Sequence, residues 1–381
     1  MDKQSSRFDE LFGRNDNVQR FFCPGRVNLI GEHIDYLGGL VLPTAISLGV
    51  TALIRPNDSN KVAIHSTDFN ETIELDLSSL PTLKQNRWSD FVLGVVLHLK
   101  QNGLDVGGCD LLIDSNLPKG SGLSSSAALE VLCYFMFSSV FGNSKIDKVK
   151  MALDCQQIEN EFIGVNCGIM DQFAVANGKE NHGIVLNCNS LEHEFVSLNL
   201  KKYSLLIINT NKPRALAESA YNQRRKECDE ALRIIASNHL IENLVDATLD
   251  DLELISDSIL EKRTRHAITE QTRVKQSVEA LNAGKLIEFG KLMNESHQSL
   301  RDDFQVSCAE LDFMVAELQK SDACVGARMT GAGFGGCCIA LVKTQGVSAL
   351  SKTLTEAYKL RFNLVPSFYN CKPSFGVHRV S

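Results

Sequence analysis

The stretch Leu117–Glu130, LPKGSGLSSSAALE, constrains this chain more than any other, because it joins two apolar segments through glycines and serines. The segment before it, Cys109–Ile113, reads as a buried strand. After it, Ala127–Val140 carries Leu129, Cys133, Met136 and Val140 at helical spacing. The stretch is therefore a strand–loop–helix junction. Gly120 and Gly122 allow positive φ and close backbone approach. Ser124, Ser125 and Ser126 fall where the new helix still has unpaired N–H groups, and with the positive end of its dipole these make an anion site. A phosphate chain is the expected anion, and a serine hydroxyl there can also ligate a metal that the anion carries. Simple helix capping by the serines is the alternative. A flexible linker conflicts with the apolar flanks. A Walker A loop is excluded, since G-x-x-x-x-G-K-[ST] needs Lys directly before the hydroxyl residue and Lys119 precedes the glycines.

The 381 residues suit two domains or one large one, with ample core. The net charge is −7 and no Lys/Arg cluster stands out, which argues against nucleic acid or an anionic membrane as main partner. The opening MDKQSSRFDELFGR lacks the apolar region of a signal peptide, and no window approaches the roughly 20 apolar residues of a membrane span. Twelve cysteines are scattered without a C-x-x-C pair, and nine histidines lack zinc spacing. The cysteines read as small buried hydrophobes in a reducing cytoplasm.

Residues 1–20 read as a helix and a polar loop. In Phe21–Pro43, Val27 and Leu29 alternate with Arg26 and Asn28, so a short strand would bury the first pair and present the second on its other face. Glu32, His33 and Asp35 then cluster between Gly31 and Gly38-Gly39. They can hydrogen-bond a polyhydroxyl ligand, or they form a solvated hairpin loop. Strands are expected at Ser47–Arg55, Lys61–Thr67 and Glu71–Leu77, and a helix at Trp88–Lys100. Core packing is the default for Trp88, the only tryptophan; stacking on an aromatic base is the alternative. Lys145–Ile163 reads as one helix whose buried face carries Glu159, which needs a cation or a metal as partner. Asp171 sits among Ile169, Met170 and Phe173 in a glycine-punctuated loop, where an apolar setting suits a general base; a helix N-cap is the plainer reading.

Strands at Gly183–Cys188, Glu194–Leu198 and Tyr203–Asn209 precede a shift to charged helices, expected at Arg214–Ser237, Asp250–Asn282, Lys285–Leu300 and Ser307–Lys320. A domain boundary is expected near residue 200, giving domains 1–200 and 201–381. Gly331–Gly336, GAGFGG, matches G-x-G-x-x-G, yet a strand-like run follows it instead of a helix, so a dinucleotide site is rejected. A turn whose bare backbone approaches the central loop fits better. A helix at Val347–Arg361 and a strand at Phe368–Lys372 close the chain.

In this order, the motifs resemble those of the galactokinases in the GHMP kinase family, over nearly the whole chain. Pro24–Asp35, PGRVNLIGEHID, resembles the galactokinase signature. Gly120–Ala127, GSGLSSSA, resembles the family's phosphate loop, and Met329–Cys337, MTGAGFGGC, its third motif. Gly168–Gln172 and Ser219–Arg225 match further patterns. The resemblance implies an α+β, two-domain GHMP kinase fold, with a sheet-rich N-terminal domain, a helix-rich α/β C-terminal domain and the active site between them. It implies an ATP-dependent, Mg²⁺-requiring kinase acting on the C1 hydroxyl of galactose.

Arg26 would be the catalytic arginine and Asp171 the base, held as a carboxylate by that arginine. Glu32, His33, Ile34 and Asp35 would bind the sugar, with Tyr221 completing the pocket. Gly120, Ser121, Gly122, Leu123, Ser124, Ser125 and Ser126 would hold ATP phosphates, with Ser66 at the nucleotide site. Ser126 and Glu159 would hold Mg²⁺. Position 34 is Ile where many galactokinases have Thr, which brings in N-acetylgalactosamine as a rival substrate. A non-catalytic sugar sensor is the other alternative, but Arg26, Asp171 and the serine run stand intact. The expected partners are galactose and MgATP, without nucleic acid or membrane; a monomer is expected.

Overall fold

The computed structural model describes residues 3–14, 17–142, 145–213 and 217–380. The first part runs α1 (Lys3–Phe12), β1 (Gln19–Asn28), β2 (Leu40–Val41), β3 (Pro43–Pro56), β4 (Lys61–Ser66), β5 (Glu71–Asp76), α2 (Asp90–Gln101) and β6 (Cys109–Ser115). It continues through α3 (Ser125–Phe141), α4 (Lys148–Gln157), a π-helical turn Ile158–Ile163, α5 (Met170–Asn177), β7 (His182–Asn187), β8 (His193–Ser197) and β9 (Tyr203–Asn209). The remainder is α6 (Ala217–Ala236), α7 (Ser258–Asn282), α8 (Leu286–Asp302), α9 (Ala309–Gln319), β10 (Cys324–Thr330), β11 (Cys337–Lys343), α10 (Val347–Phe362), β12 (Ser367–Cys371) and β13 (His378–Val380).

Six strands form one sheet in the order β13-β1-β3-β6-β4-β5, antiparallel except for the β4–β6 pair. On one face α3 and α5 pack against β1 and β3. On the other, Phe8 of α1 closes a small cluster with Leu53 and Leu112, the residues that alternation sends to that side. A four-stranded antiparallel sheet, β10-β11-β9-β12, is covered by α8 and α9. β2, β7 and β8 form a third sheet. The last strand, β13, pairs with β1, so the chain end completes the first sheet.

Several elements differ from expectation. The single helix expected over 145–163 ends as a π turn, whose wider winding holds Glu159. The helix expected over 250–282 is two: a 3-10 helix, Leu249–Leu254, and then α7, started by Asp257, which accepts from Ile259 N and Leu260 N. Asp171 lies in the first turn of α5, not in a loop, and its side chain does not cap that helix. The expected start of α6 at Arg214 lies outside the described residues. β10 and β13 had no reading in the sequence. Trp88 precedes α2, is partly buried and packs against the edge of the main core, as its default reading expects.

Candidate active site

The junction folds as a tight glycine–serine loop that leads directly into α3. Gly120 (φ 66°), Gly122 (φ 77°) and Ser124 (φ 61°) are all left-handed, and α3 starts at Ser125. For serine this conformation costs about 1 kcal/mol or more. Its hydroxyl is positioned in return: Ser124 Oγ donates to Asp171 Oδ2 at 2.5 Å. The loop also lies against β1. A Cβ at Gly25 would stand 2.7 Å from the Leu123 carbonyl oxygen and 2.6 Å from the Leu117 side chain, so only glycine lets the two backbones meet. A Cβ at Gly331, in the β10–β11 turn, would stand 3.3 Å from the Gly122 carbonyl oxygen, so this turn too reaches the loop.

A register shift in the β1–β3 pairing falls between Pro24 and Arg26, and bulges of this kind re-aim a side chain. Arg26 then forms a two-pronged pair with Asp171, Nε to Oδ1 at 2.7 Å and Nη2 to Oδ2 at 2.6 Å. Its Nη1 donates to the Gly122 carbonyl at 2.8 Å. The arginine thus ties strand, glycine–serine loop and α5 together.

Arg26 and Asp171 line a cavity of about 330 Å³, with Glu32, His33, Asp35, Glu159, Tyr221 and the Gly331-Ala332 backbone. The loop of residues 31–39 is largely buried, with Asp35, Tyr36 and Gly38 half-buried, contrary to the solvated-hairpin alternative. Glu32 Oε1 accepts from Gly331 N (2.7 Å) and Thr330 Oγ1 (2.8 Å). His33, at φ 62°, sets Nδ1 3.0 Å from the Tyr36 hydroxyl and Nε2 3.2 Å from the Ala332 carbonyl. Removal from water, then the nearby His266, pushes its pKa down to about 3, so the ring is neutral: Nε2–H donates and Nδ1 accepts. Tyr221 packs against both His33 and Tyr36, tilted by 41° to the first and edge-on to the second, with centroids 5.6 and 5.5 Å away. Asp35 packs against Gly168, where a Cβ would stand 2.0 Å from its Oδ2. Its pKa rises to about 7, through removal from water first and then the Asp171 and Glu32 charges. Ile34 is fully buried and does not line the cavity, and Leu123 is likewise a core side chain.

A second cavity of about 370 Å³ opens on the other side of the α3 N-terminus, lined by Ser66, Phe69, Trp88, Lys119, Gly120, Ser125 and Ser126 among others. Phe69 and Trp88 stack face to face, 5.6 Å apart and 5° from parallel, and Trp88 Nε1 donates to Glu71. Phe69 had no role in the sequence reading; an aromatic at a hairpin turn gives no periodic signal.

Between the two cavities lie Ser126 and Glu159. Glu159 accepts from Gln172 Nε2 at 2.6 Å and is hydrogen-bonded to Ser126. Removal from water, then the Asp171 charge, raises its pKa to about 7 despite those bonds. Glu130, one turn after Ser126, is fully buried, with its carboxyl group against that of Glu159. Burial, followed by Glu159, pushes its pKa far up. The sequence reading passed over Glu130, and also over His266, Glu270 and Gln271 of α7. These three hold the loop after β1 through the Glu32 carbonyl, Gly31 N and Leu40 N respectively.

The α3 N-terminus thus lies beside two cavities, one acidic and one lined by aromatic rings. Residues 90–179 and 277–360 match the N-terminal and C-terminal domains of GHMP kinases, and residues 6–56 match the galactokinase galactose-binding signature. The galactokinase of Clostridium tetani is 41% identical over 377 residues, covering 98% of this chain and 96% of that protein. The crystal structure of Lactococcus lactis galactokinase complexed with galactose superposes with a TM-score of 0.94 at 41% identity, over 99% of this chain and 98% of that one. Methanococcus jannaschii mevalonate kinase shares the fold alone, with a TM-score of 0.69 at 22% identity over 95% of this chain and all of that one (100%). The chain belongs to the galactokinase family and is an ATP-dependent sugar kinase.

Proposed function

We propose that this chain transfers the γ-phosphoryl group of ATP to the C1 hydroxyl of α-D-galactose, giving galactose 1-phosphate and ADP. The observation that carries this reading is the Arg26–Asp171 pair, tied to Ser124 where the acidic cavity meets the α3 N-terminus. Galactose occupies the acidic cavity, with Glu32, Asp35 and Tyr221 on its hydroxyls. ATP occupies the second cavity, with its phosphates on the N–H groups that open α3 and its base beside Phe69 and Trp88. Asp171 takes the C1 hydroxyl proton. Arg26 stabilises the developing alkoxide and keeps Asp171 oriented. The loop and helix N–H groups meet the charge spread over the transferring phosphoryl, so positioning and electrostatics supply the catalysis.

Ser126 and Glu159 fit a magnesium ion. They touch each other, and burial followed by the Asp171 charge raises the pKa of Glu159 to about 7, a cost that a bound cation would relieve. The described residues hold no cluster of three or more metal-ligating side chains, and Mg²⁺ commonly takes one or two protein ligands beside phosphates and water. The ion would offset phosphate charge. Glu159→Ala is therefore expected to raise the Mg²⁺ concentration needed for half-maximal rate, measured by titrating metal at fixed ATP; an unchanged requirement would return Glu159 to a structural role.

The raised pKa of Asp35 supports a pH effect. Ionised Asp35 offers both oxygens to sugar hydroxyls, whereas the protonated form has one occupied. Galactose affinity without nucleotide is expected to strengthen as pH rises from about 6 to 8, as Asp35 loses its proton. Calorimetric titration across that range checks this, and Asp35→Asn should flatten the profile.

Purified protein with galactose and MgATP, in an assay coupled to ADP release, tests the function. Sugar-dependent ADP is expected; its absence under varied metal and pH would favour the sensor. We also propose the division into residues 1–200 and 201–381, a monomer, and a cytoplasmic setting, which the twelve free thiols support.

A further inference from the structure

Arg328 is the largest charge the mechanism leaves unused. Its side chain is fully buried, at 0% exposure, on β10. Nη1 donates to the Asn28 carbonyl at 2.8 Å and reaches Glu32 Oε1 at 3.5 Å. Nε and Nη2 have no hydrogen-bond partner among the described residues. A buried guanidinium in that state costs folding free energy, and an apolar side chain would fill the same space at less cost. The residue it can serve is the carboxylate it faces.

That carboxylate belongs to Glu32, and Oε1 carries every contact it makes with β10 and its turn. Thr330 Oγ1 lies 2.8 Å away, Gly331 N 2.7 Å and Arg328 Nη1 3.5 Å. The Thr330 hydroxyl also lies 3.2 Å from the Asn28 carbonyl and 3.3 Å from Asn28 N. It has one proton, and the Asn28 carbonyl already has Arg328, so the hydroxyl donates to Glu32 and accepts from Asn28 N. Oε1 is thereby fully engaged, and Oε2 is the oxygen left for a sugar hydroxyl.

We infer that Arg328 and Thr330 are positioning residues for sugar recognition, which fix Glu32 through Oε1 so that one oxygen is presented to the substrate. This rests on the reading of the acidic cavity as the galactose site. It gives the strand before the glycine turn a task separate from the approach of Gly331 to the phosphate loop. A carboxylate with one oxygen held needs little ordering when the sugar arrives, so loss of the hold is expected in galactose affinity and not in ATP use.

Thr330→Val keeps the shape and removes the hydroxyl, and Thr330→Ser restores it. With Thr330→Val the galactose KM, and the dissociation constant from calorimetry, are expected to rise about tenfold, one lost hydrogen bond to a charged group. The ATP KM should stay within about twofold, and Thr330→Ser should recover most of the loss. Arg328→Met should act in the same direction and more strongly. If Arg328→Met does not fold, the Thr330 pair decides. Galactose affinity unchanged in Thr330→Val, whatever happens to its melting temperature, would overturn the inference and leave a mere staple between strands. Galactose and ATP KM rising together, without rescue by serine, would also overturn it. Wild-type protein in the same assay separates the two readings: no galactose turnover there defeats the function itself, whereas normal turnover with an insensitive Thr330→Val defeats only the positioning role.

Discussion

Asp171→Asn is expected to lower turnover by roughly 10²-fold or more while galactose binding stays within a few-fold of wild type. The substitution is nearly isosteric, so the wall of the cavity keeps its shape. What changes is the proton acceptor. An amide cannot take the C1 proton, and its NH₂ group faces Arg26 and Ser124 donors where an oxygen stood 2.6 and 2.5 Å away. Arg26, buried at 6% side-chain exposure, then loses half of its fork and turns from an orienting partner into an unpaired cation. Both consequences fall on the transition state, because the alkoxide develops where that cation and that base meet. The remaining sugar contacts, from Glu32, Asp35 and Tyr221, are untouched. Steady-state kinetics beside calorimetric galactose titration separates the two quantities. Near-wild-type turnover in the mutant would remove Asp171 as base and leave Arg26 and the helix N-terminus to explain the rate.

The parts of this site that could be read from sequence are those made by local backbone chemistry. Two glycines and three serines between a strand and a helix leave few alternatives to an anion loop, and the structure has Gly120, Gly122 and Ser124 left-handed and α3 beginning at Ser125. The GAGFGG turn could be read for the same reason, since no helix follows it. What could not be read is which distant groups meet. Glu32 was a loop acid in the sequence, and its fixing by Thr330 and Gly331 depends on pairing across 298 and 299 positions. The α7 residues that hold the sugar loop were hidden in a run of charges that reads as a solvated helix, because helical periodicity says which residues share a face and not what that face touches. Trp88 was read in part for a related reason. It packs against the core as a lone aromatic usually does, but its partner Phe69 sits at a hairpin turn, and together they also line a cavity. Glu159 was ambiguous for another reason: helical spacing put it on the buried face, where it lies, but spacing does not say whether a cation, a metal or a neighbour such as Gln172 meets it there.

Galactose is expected to exceed glucose by at least roughly two orders of magnitude in kcat/KM. The two sugars differ only at C4, where one hydroxyl is axial in galactose and equatorial in glucose. The cavity reads hydroxyls with groups that cannot easily move. Glu32 is held by three donors through one oxygen. Asp35 is pressed against Gly168, and Tyr221 is packed against the rings of His33 and Tyr36. An epimer leaves at least one of these groups facing no partner, and a buried polar group without a partner costs about 1–3 kcal/mol, more when charged. Because the walls are rigid, the sugar cannot tilt to recover the bond without moving C1 away from Asp171, so the penalty reaches kcat as well as KM. N-acetylgalactosamine is the harder rival, since it keeps the axial C4 hydroxyl. Its acetamido group hangs on C2, next to the reacting carbon and therefore beside Asp171. Gly168 and Met170 line the cavity together with Asp171, and Gly168 is packed so closely on Asp35 that one added carbon there would stand 2.0 Å from that carboxylate. Galactose is accordingly expected to turn over faster than the acetamido sugar. Ile34, the position where this chain departs from many relatives, is core and does not enter the comparison. A side-by-side assay of the three sugars at saturating MgATP decides the matter. Glucose accepted as well as galactose would strip Glu32, Asp35 and Tyr221 of their hydroxyl-reading role, and faster turnover of N-acetylgalactosamine would move the sugar assignment while Arg26, Asp171 and the phosphate loop kept theirs.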